Sequence, residues 1–100
     1  MGRKMKSIKE LKLVLNQHKP QLMRKYPIKK IGIFGSYSRG EETPQSDVDI
    51  LVEFKSPIGL DFVTLADELE EMLGVKVDLA SVHGVKPKIM KQIKEELVYV

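Results

Sequence analysis

The stretch Ser46-Asp47-Val48-Asp49-Ile50-Leu51-Val52-Glu53-Phe54 is rich in β-branched residues and reads as a strand from Val48 onward. Side chains alternate along a strand, so Asp47, Asp49 and Leu51 fall on one face. Val48, Ile50 and Val52 take the other, which belongs to the core. Upstream, the short run Ile31-Gly32-Ile33-Phe34, flanked by lysines and ended by Gly35-Ser36, predicts a strand running into a glycine turn. A polar loop over residues 40–46, broken at Thr43-Pro44, joins the two. Downstream, Ser56-Pro57 and Gly59 turn the chain into a helix whose apolar stripe is Phe62, Leu65, Ala66, Leu69, Met72 and Leu73, closed by Gly74. Val75 to Leu79 reads as a third strand. Pro87 then opens a last helix with Ile89, Met90, Ile93 and Leu97 on one side. At the other end, Ser7-Ile8-Lys9-Glu10 fits a capping box. Pro20 predicts a break in that first helix near Gln17 to Lys19 and a further short helix reaching Tyr26-Pro27. Strands alternating with helices give an α/β or α+β fold, with helices covering one face of a small sheet.

The chain has 100 residues, 42% of them hydrophobic and 31% charged, without cysteine or tryptophan. That length predicts a single domain over residues 1–100 with one modest core, and excludes a second lobe for a substrate. Lacking cysteine, the chain has no disulfide, thiolate nucleophile or cysteine-ligated zinc, and suits a reducing cytoplasm. Its apolar runs are far short of a membrane span, and its basic start lacks the apolar run of a signal peptide. The net charge of +3 hides a strong asymmetry, because residues 1–30 hold ten Lys/Arg against one acid. With Tyr26 its single aromatic residue, this segment reads as a solvated helix face in preference to a nucleic-acid patch.

Asp47 and Asp49, about 6.6 Å apart along the backbone, are costly neighbours unless a cation lies between them. Magnesium is the natural candidate, being a hard ion that takes few protein carboxylates. Asp78 lies within the third strand; if that strand adjoins the second, a third acid joins the pair. Three such acids can hold two divalent ions about 3.5–4 Å apart, the arrangement that clamps the attacking and leaving oxygens in phosphoryl or nucleotidyl transfer. Gly35 permits close approach of a ligand, and the residues after it read as the first turn of a short helix suited to a phosphate, with the Ser36 hydroxyl as a further donor. No Lys-Ser or Lys-Thr follows, so this is not a Walker loop. His18 and His83 read as exposed polar residues, Tyr26, Tyr37 and Tyr99 as packing or edge residues, and Met72 and Met90 as core filler. The acidic run Asp67 to Glu71 reads as the solvated face of its helix.

Gly35-Ser36, Arg39-Gly40, Ser46-Asp47-Val48-Asp49-Ile50-Leu51-Val52 and Val77-Asp78-Leu79, in that order, resemble the signature of the DNA polymerase β-like nucleotidyltransferases. More narrowly, the chain resembles the minimal nucleotidyltransferases, the MntA-type antitoxins encoded beside HEPN-domain toxins. Ser38 departs from a pattern that often has alanine before the arginine. The resemblance implies a small mixed sheet covered by helices, and transfer of a nucleoside monophosphate from a triphosphate to a hydroxyl. It implies that Asp47 and Asp49 bind two Mg²⁺ ions, and that Asp78 binds the catalytic one and helps deprotonate the acceptor. Gly35 and Ser36 would hold the β- and γ-phosphates, with Arg39 as helper. Family members of this type add AMP from ATP to a tyrosine of the partner HEPN toxin and so silence it. Neutralisation by docking alone, or transfer to a small molecule or an RNA end, are the alternatives. One small domain leaves the acceptor to be brought by a partner, for which the basic N-terminal segment is a candidate surface.

Overall fold

The computed structural model describes residues 6–100; the first five residues of the basic segment lie outside them. In chain order the elements are α1 (Ile8–Lys25), β1 (Ile28–Phe34), α2 (Ser36–Arg39), β2 (Val48–Phe54), α3 (Asp61–Leu73), β3 (Val77–Ser81), a 3₁₀ turn (Val82–Gly84), α4 (Pro87–Glu96) and β4 (Val98–Tyr99). The sheet order is β3-β2-β1-β4. β1 pairs antiparallel with both β2 and β4, while β2 and β3 run parallel across the α3 crossover. The sheet is therefore mixed.

Val48, Ile50 and Val52 of β2 are fully buried, and pack with Ile31 and Ile33 of β1 against Leu11, Leu15 and Leu22 of α1 and Leu65, Leu69 and Leu73 of α3. The opposite face is covered too. There Leu51 packs with Met90 and Ile93 of α4, joined by Phe34, Ala80 and Leu97. The expectation of helices on one face only is thus corrected: Leu51, alternating with the core residues of β2, is the residue that requires a second layer.

Three boundaries also differ from the sequence reading. β1 begins at Ile28, because a register shift between Ile28 and Lys30 breaks the alternation and lets Ile28 and Ile31 both reach the core while Lys29 and Lys30 stay exposed. β3 begins at Val77 and runs to Ser81. α1 continues unbroken through Pro20. A mid-helix proline costs about 3 kcal/mol, but Pro20 and Asn16, whose carbonyl loses its donor, are both exposed, and the buried stripe Leu11, Leu15, Leu22 continues past it.

Side chains fasten the α1–α3 layer. Ser7 caps α1 as expected, its Oγ accepting from Glu10 N at 3.3 Å. His18 is half-buried, not exposed, with Nδ1 2.9 Å from the Val14 carbonyl oxygen. Glu68 does not belong to a solvated face: Lys25 Nζ donates to both its carboxylate oxygens and the Tyr26 hydroxyl donates at 2.9 Å. Glu70 likewise accepts from Val77 N at 3.0 Å. Among the described residues, no helix is long and apolar enough to cross a membrane.

Candidate active site

The strand register assembles the acids. Asp49 is the cross-strand partner of Phe34 on one side and of Asp78 on the other. In-register partners on adjacent strands share a face, so Asp49 and Asp78 lie side by side on the face covered by α4. Asp47 sits just before β2, exposed at the end of a loop tied by Thr43 N donating to Ser46 Oγ at 2.9 Å and Ser46 N to Thr43 O at 2.9 Å. Val48 N then donates to Lys76 O, fixing the start of β2 against the approach to β3.

Electrostatics tie the group together. Burial pushes the Asp49 carboxyl up to about 6, assisted by the neighbouring carboxylates of Asp78, Asp47 and Glu96. A carboxyl raised by burial and by like-charged neighbours is relieved by a proton or a cation. Among the described residues, no three carboxylate or imidazole groups converge tightly enough to form a ready-made cation cage. The donor set nonetheless fits magnesium, which takes one or two carboxylates, keeps several waters and completes its shell with substrate phosphates.

Gly35 stands at φ 78° and ψ −152°, a backbone region open essentially only to glycine, and backs directly onto the Asp49 carboxylate. α2 follows at once, with Ser36 as its first residue and Tyr37 buried beneath it as the expected packing residue. An open cleft of about 700 Å³ runs over the turn. Phe34, Gly35, Ser36, Arg39, Asp47 and Asp49 line one side; Ile89, Gln92, Ile93, Glu95 and Glu96 of α4 line the other. Asp78 is not part of this lining. It lies beyond Asp49, on the neighbouring strand. The Arg39 guanidinium is engaged twice, Nε donating to Glu41 at 2.9 Å and Nη1 to Glu96 at 2.8 Å.

The α4 wall was not read from the sequence. Its one signal is Glu95-Glu96, a pair of acids closing an otherwise basic helix, where the helix dipole favours cations.

A glycine turn, an in-register pair of aspartates and an open cleft on a mixed sheet fit a nucleotidyl-transferring class of protein. The comparisons agree: residues 15–100 match the nucleotidyltransferase domain family. The chain belongs to that family and, within it, to the minimal nucleotidyltransferases of the MntA type. A Methanocaldococcus jannaschii protein, provisionally named a protein adenylyltransferase, is 51% identical over 96% of this chain and 100% of its own length. Protein adenylyltransferase MntA of Thermococcus cleftensis is 42% identical over 96% of this chain and 98% of its own. A solved structure provisionally named a minimal nucleotidyltransferase superposes with a TM-score of 0.82 at 31% identity, covering 99% of this chain and 100% of that one. A toxin–antitoxin structure with AMP-PNP gives a TM-score of 0.70 at 26% identity, over 83% of this chain and 69% of that one. The fold also matches, at 24% identity and a TM-score of 0.68 over 89% of this chain and 70% of that one, a chain in a complex of tri-AMPylated Shewanella oneidensis HEPN toxin with MNT antitoxin.

Proposed function

We propose that this chain is a Mg²⁺-dependent adenylyltransferase that moves AMP from ATP onto a tyrosine hydroxyl of a HEPN-domain partner toxin in the cytoplasm, and so acts as its antitoxin. The observation that carries the reading is the pairing of Asp49 with Asp78 beside the Gly35 turn, at the edge of a cleft large enough for a nucleotide. The relative named MntA and the toxin–antitoxin structure holding an ATP analogue support the same substrate and kind of partner.

In this reading Gly35 and Ser36 receive the β- and γ-phosphates, and the cleft orients the α-phosphate for in-line attack. Asp47 and Asp49 would hold two magnesium ions, with Asp78 joining them at the catalytic one. Bound magnesium supplies neutralisation of the charge that develops on the phosphates. Asp78 takes the proton as the tyrosine oxygen bonds to the α-phosphorus; the bond to the β-phosphate oxygen breaks and pyrophosphate leaves. Arg39, engaged by Glu41 and Glu96, serves the nucleotide by shaping the turn.

Incubation with α-labelled ATP, Mg²⁺ and the HEPN protein tests this. The expected result is label on a partner tyrosine, abolished by combining Asp47→Asn with Asp49→Asn. No transfer by wild type, or equal transfer by the double variant, overturns it.

A further inference from the structure

We propose that Glu96 is a positioning residue of this site, whose carboxylate clamps the Gly35 peptide with one oxygen and the Arg39 guanidinium with the other. The inference rests on the nucleotide-binding reading above and adds a residue to it. Gly35 N donates to Glu96 Oε1 at 2.9 Å and Arg39 Nη1 to Oε2 at 2.8 Å, while Ser38 Oγ donates to the Glu96 carbonyl at 2.6 Å. One residue at the end of α4 thus holds both ends of α2 and the side chain between them.

Helix stability does not account for an acid at this position. Glu96 is the last residue of α4, where the partial negative charge of the terminal carbonyls disfavours a carboxylate. What offsets that cost is the half-buried, charge-assisted contact with α2. The contact also has a mechanical use. Gly35 occupies a backbone region that persists only when its surroundings over-determine it, and the Gly35 peptide backs onto Asp49. A bond that fixes the Gly35 amide therefore fixes the wall against which the Asp49 carboxylate rests. Glu96 is itself held from the next residues: Leu97 packs over Gly32, and Val98 and Tyr99 pair with β1.

A positioning carboxylate and one that merely fills the place of a phosphate predict opposite signs. Removing the first weakens nucleotide binding, whereas removing the second tightens it. The test is AMP-PNP affinity with Mg²⁺ for wild type, Glu96→Ala and Glu96→Gln, together with hydrogen exchange of the Gly35 amide in the free protein. Glu96→Ala is expected to speed Gly35 exchange and to weaken AMP-PNP binding about tenfold, raising KM for ATP more than it lowers kcat. Glu96→Gln keeps an acceptor for the Gly35 amide but loses the charge facing Arg39, so its affinity falls between the two. Adding Arg39→Ala to Glu96→Ala costs little more than either change alone, because they remove one shared contact. Unchanged Gly35 exchange in Glu96→Ala overturns the clamp, and so does unchanged or tighter AMP-PNP binding. Failure of wild type to bind AMP-PNP overturns the nucleotide reading instead, and the exchange measurement still decides the clamp.

Discussion

Gly35 and Asp49 touch so closely that a methyl group on Gly35 would collide with the Asp49 carboxylate. The turn proposed to receive phosphate and the acid proposed to hold metal are therefore one mechanical unit. Gly35→Ala both strains a backbone at φ 78° and displaces the carboxylate. We expect a loss of about 1–3 kcal/mol in stability and at least about a hundredfold in transfer rate, since small misplacements at a reacting centre cost that much. Denaturant unfolding and labelled-ATP transfer measure the two. A variant that folds less well but transfers at the wild-type rate would contradict the coupling.

Asp49→Asn keeps the shape and removes the charge that Asp78 and Asp47 oppose. Without added metal, the variant should be more stable than wild type by about 1 kcal/mol, a rise of about 4–8 °C in Tm for a domain of this size. Mg²⁺ should then raise the Tm of wild type but not of the variant. Thermal unfolding with and without the ion checks both halves.

Tyr26 supplies the pH dependence. Burial first, then the hydrogen bond and charge of Glu68, push its hydroxyl from 10.0 up to about 12. A pKa higher in the folded than in the unfolded chain gives stability that is complete below about pH 10 and is lost as pH rises toward 12. Tyr26→Phe should lower stability at neutral pH by about 1 kcal/mol, the net worth of one hydrogen bond, and flatten the fall between pH 10 and 12. Urea unfolding at pH 7, 10 and 11.5 reads both effects.

Pro20→Ala restores a donor for the Asn16 carbonyl on an exposed face of α1, in the layer away from the cleft. An increase in stability of about 1–2 kcal/mol is expected, with transfer unchanged. A loss of stability would mean that the proline shapes the helix in a way its neighbours require.

The pattern of local signals explains what was legible beforehand. The alternation in β2, the Gly35-Ser36 turn, the Gly74 stop and the Pro87 start each act within a few residues, and each lies where its chemistry predicts. Alternation placed Asp47 and Asp49 on one face for the same reason, whereas Asp78 comes alongside only through the parallel pairing of β2 with β3, which the sequence left conditional. What escaped depends on partners distant in sequence. α1 passes through Pro20 because its leucine stripe is buried by other elements. β4 has only two residues, too few to show a period. The sign of β4 was elsewhere, in Gly32: a side chain there would lie 2.7 Å from Leu97 Cδ1 and 3.1 Å from the Val98 carbonyl oxygen. A glycine inside a strand marks close approach of other backbone, and here it leaves room for the segment that carries Glu96.

That segment also sets an order of assembly. β1 can pair with β2 once α2 and the loop after it have formed, but its other edge waits for β4, and the Gly35 amide waits for Glu96, sixty-one residues further along. Contacts that distant form after local ones have reduced the cost of closing the loop. The cleft is therefore expected to close last and open first, with α4 and β4 exchanging amide protons faster than β1 and β2. On the proposed function, nucleotide binding then reports completion of the fold: a chain whose last helix has not docked leaves the Gly35 turn unfixed, and with it the wall against which the Asp49 carboxylate rests.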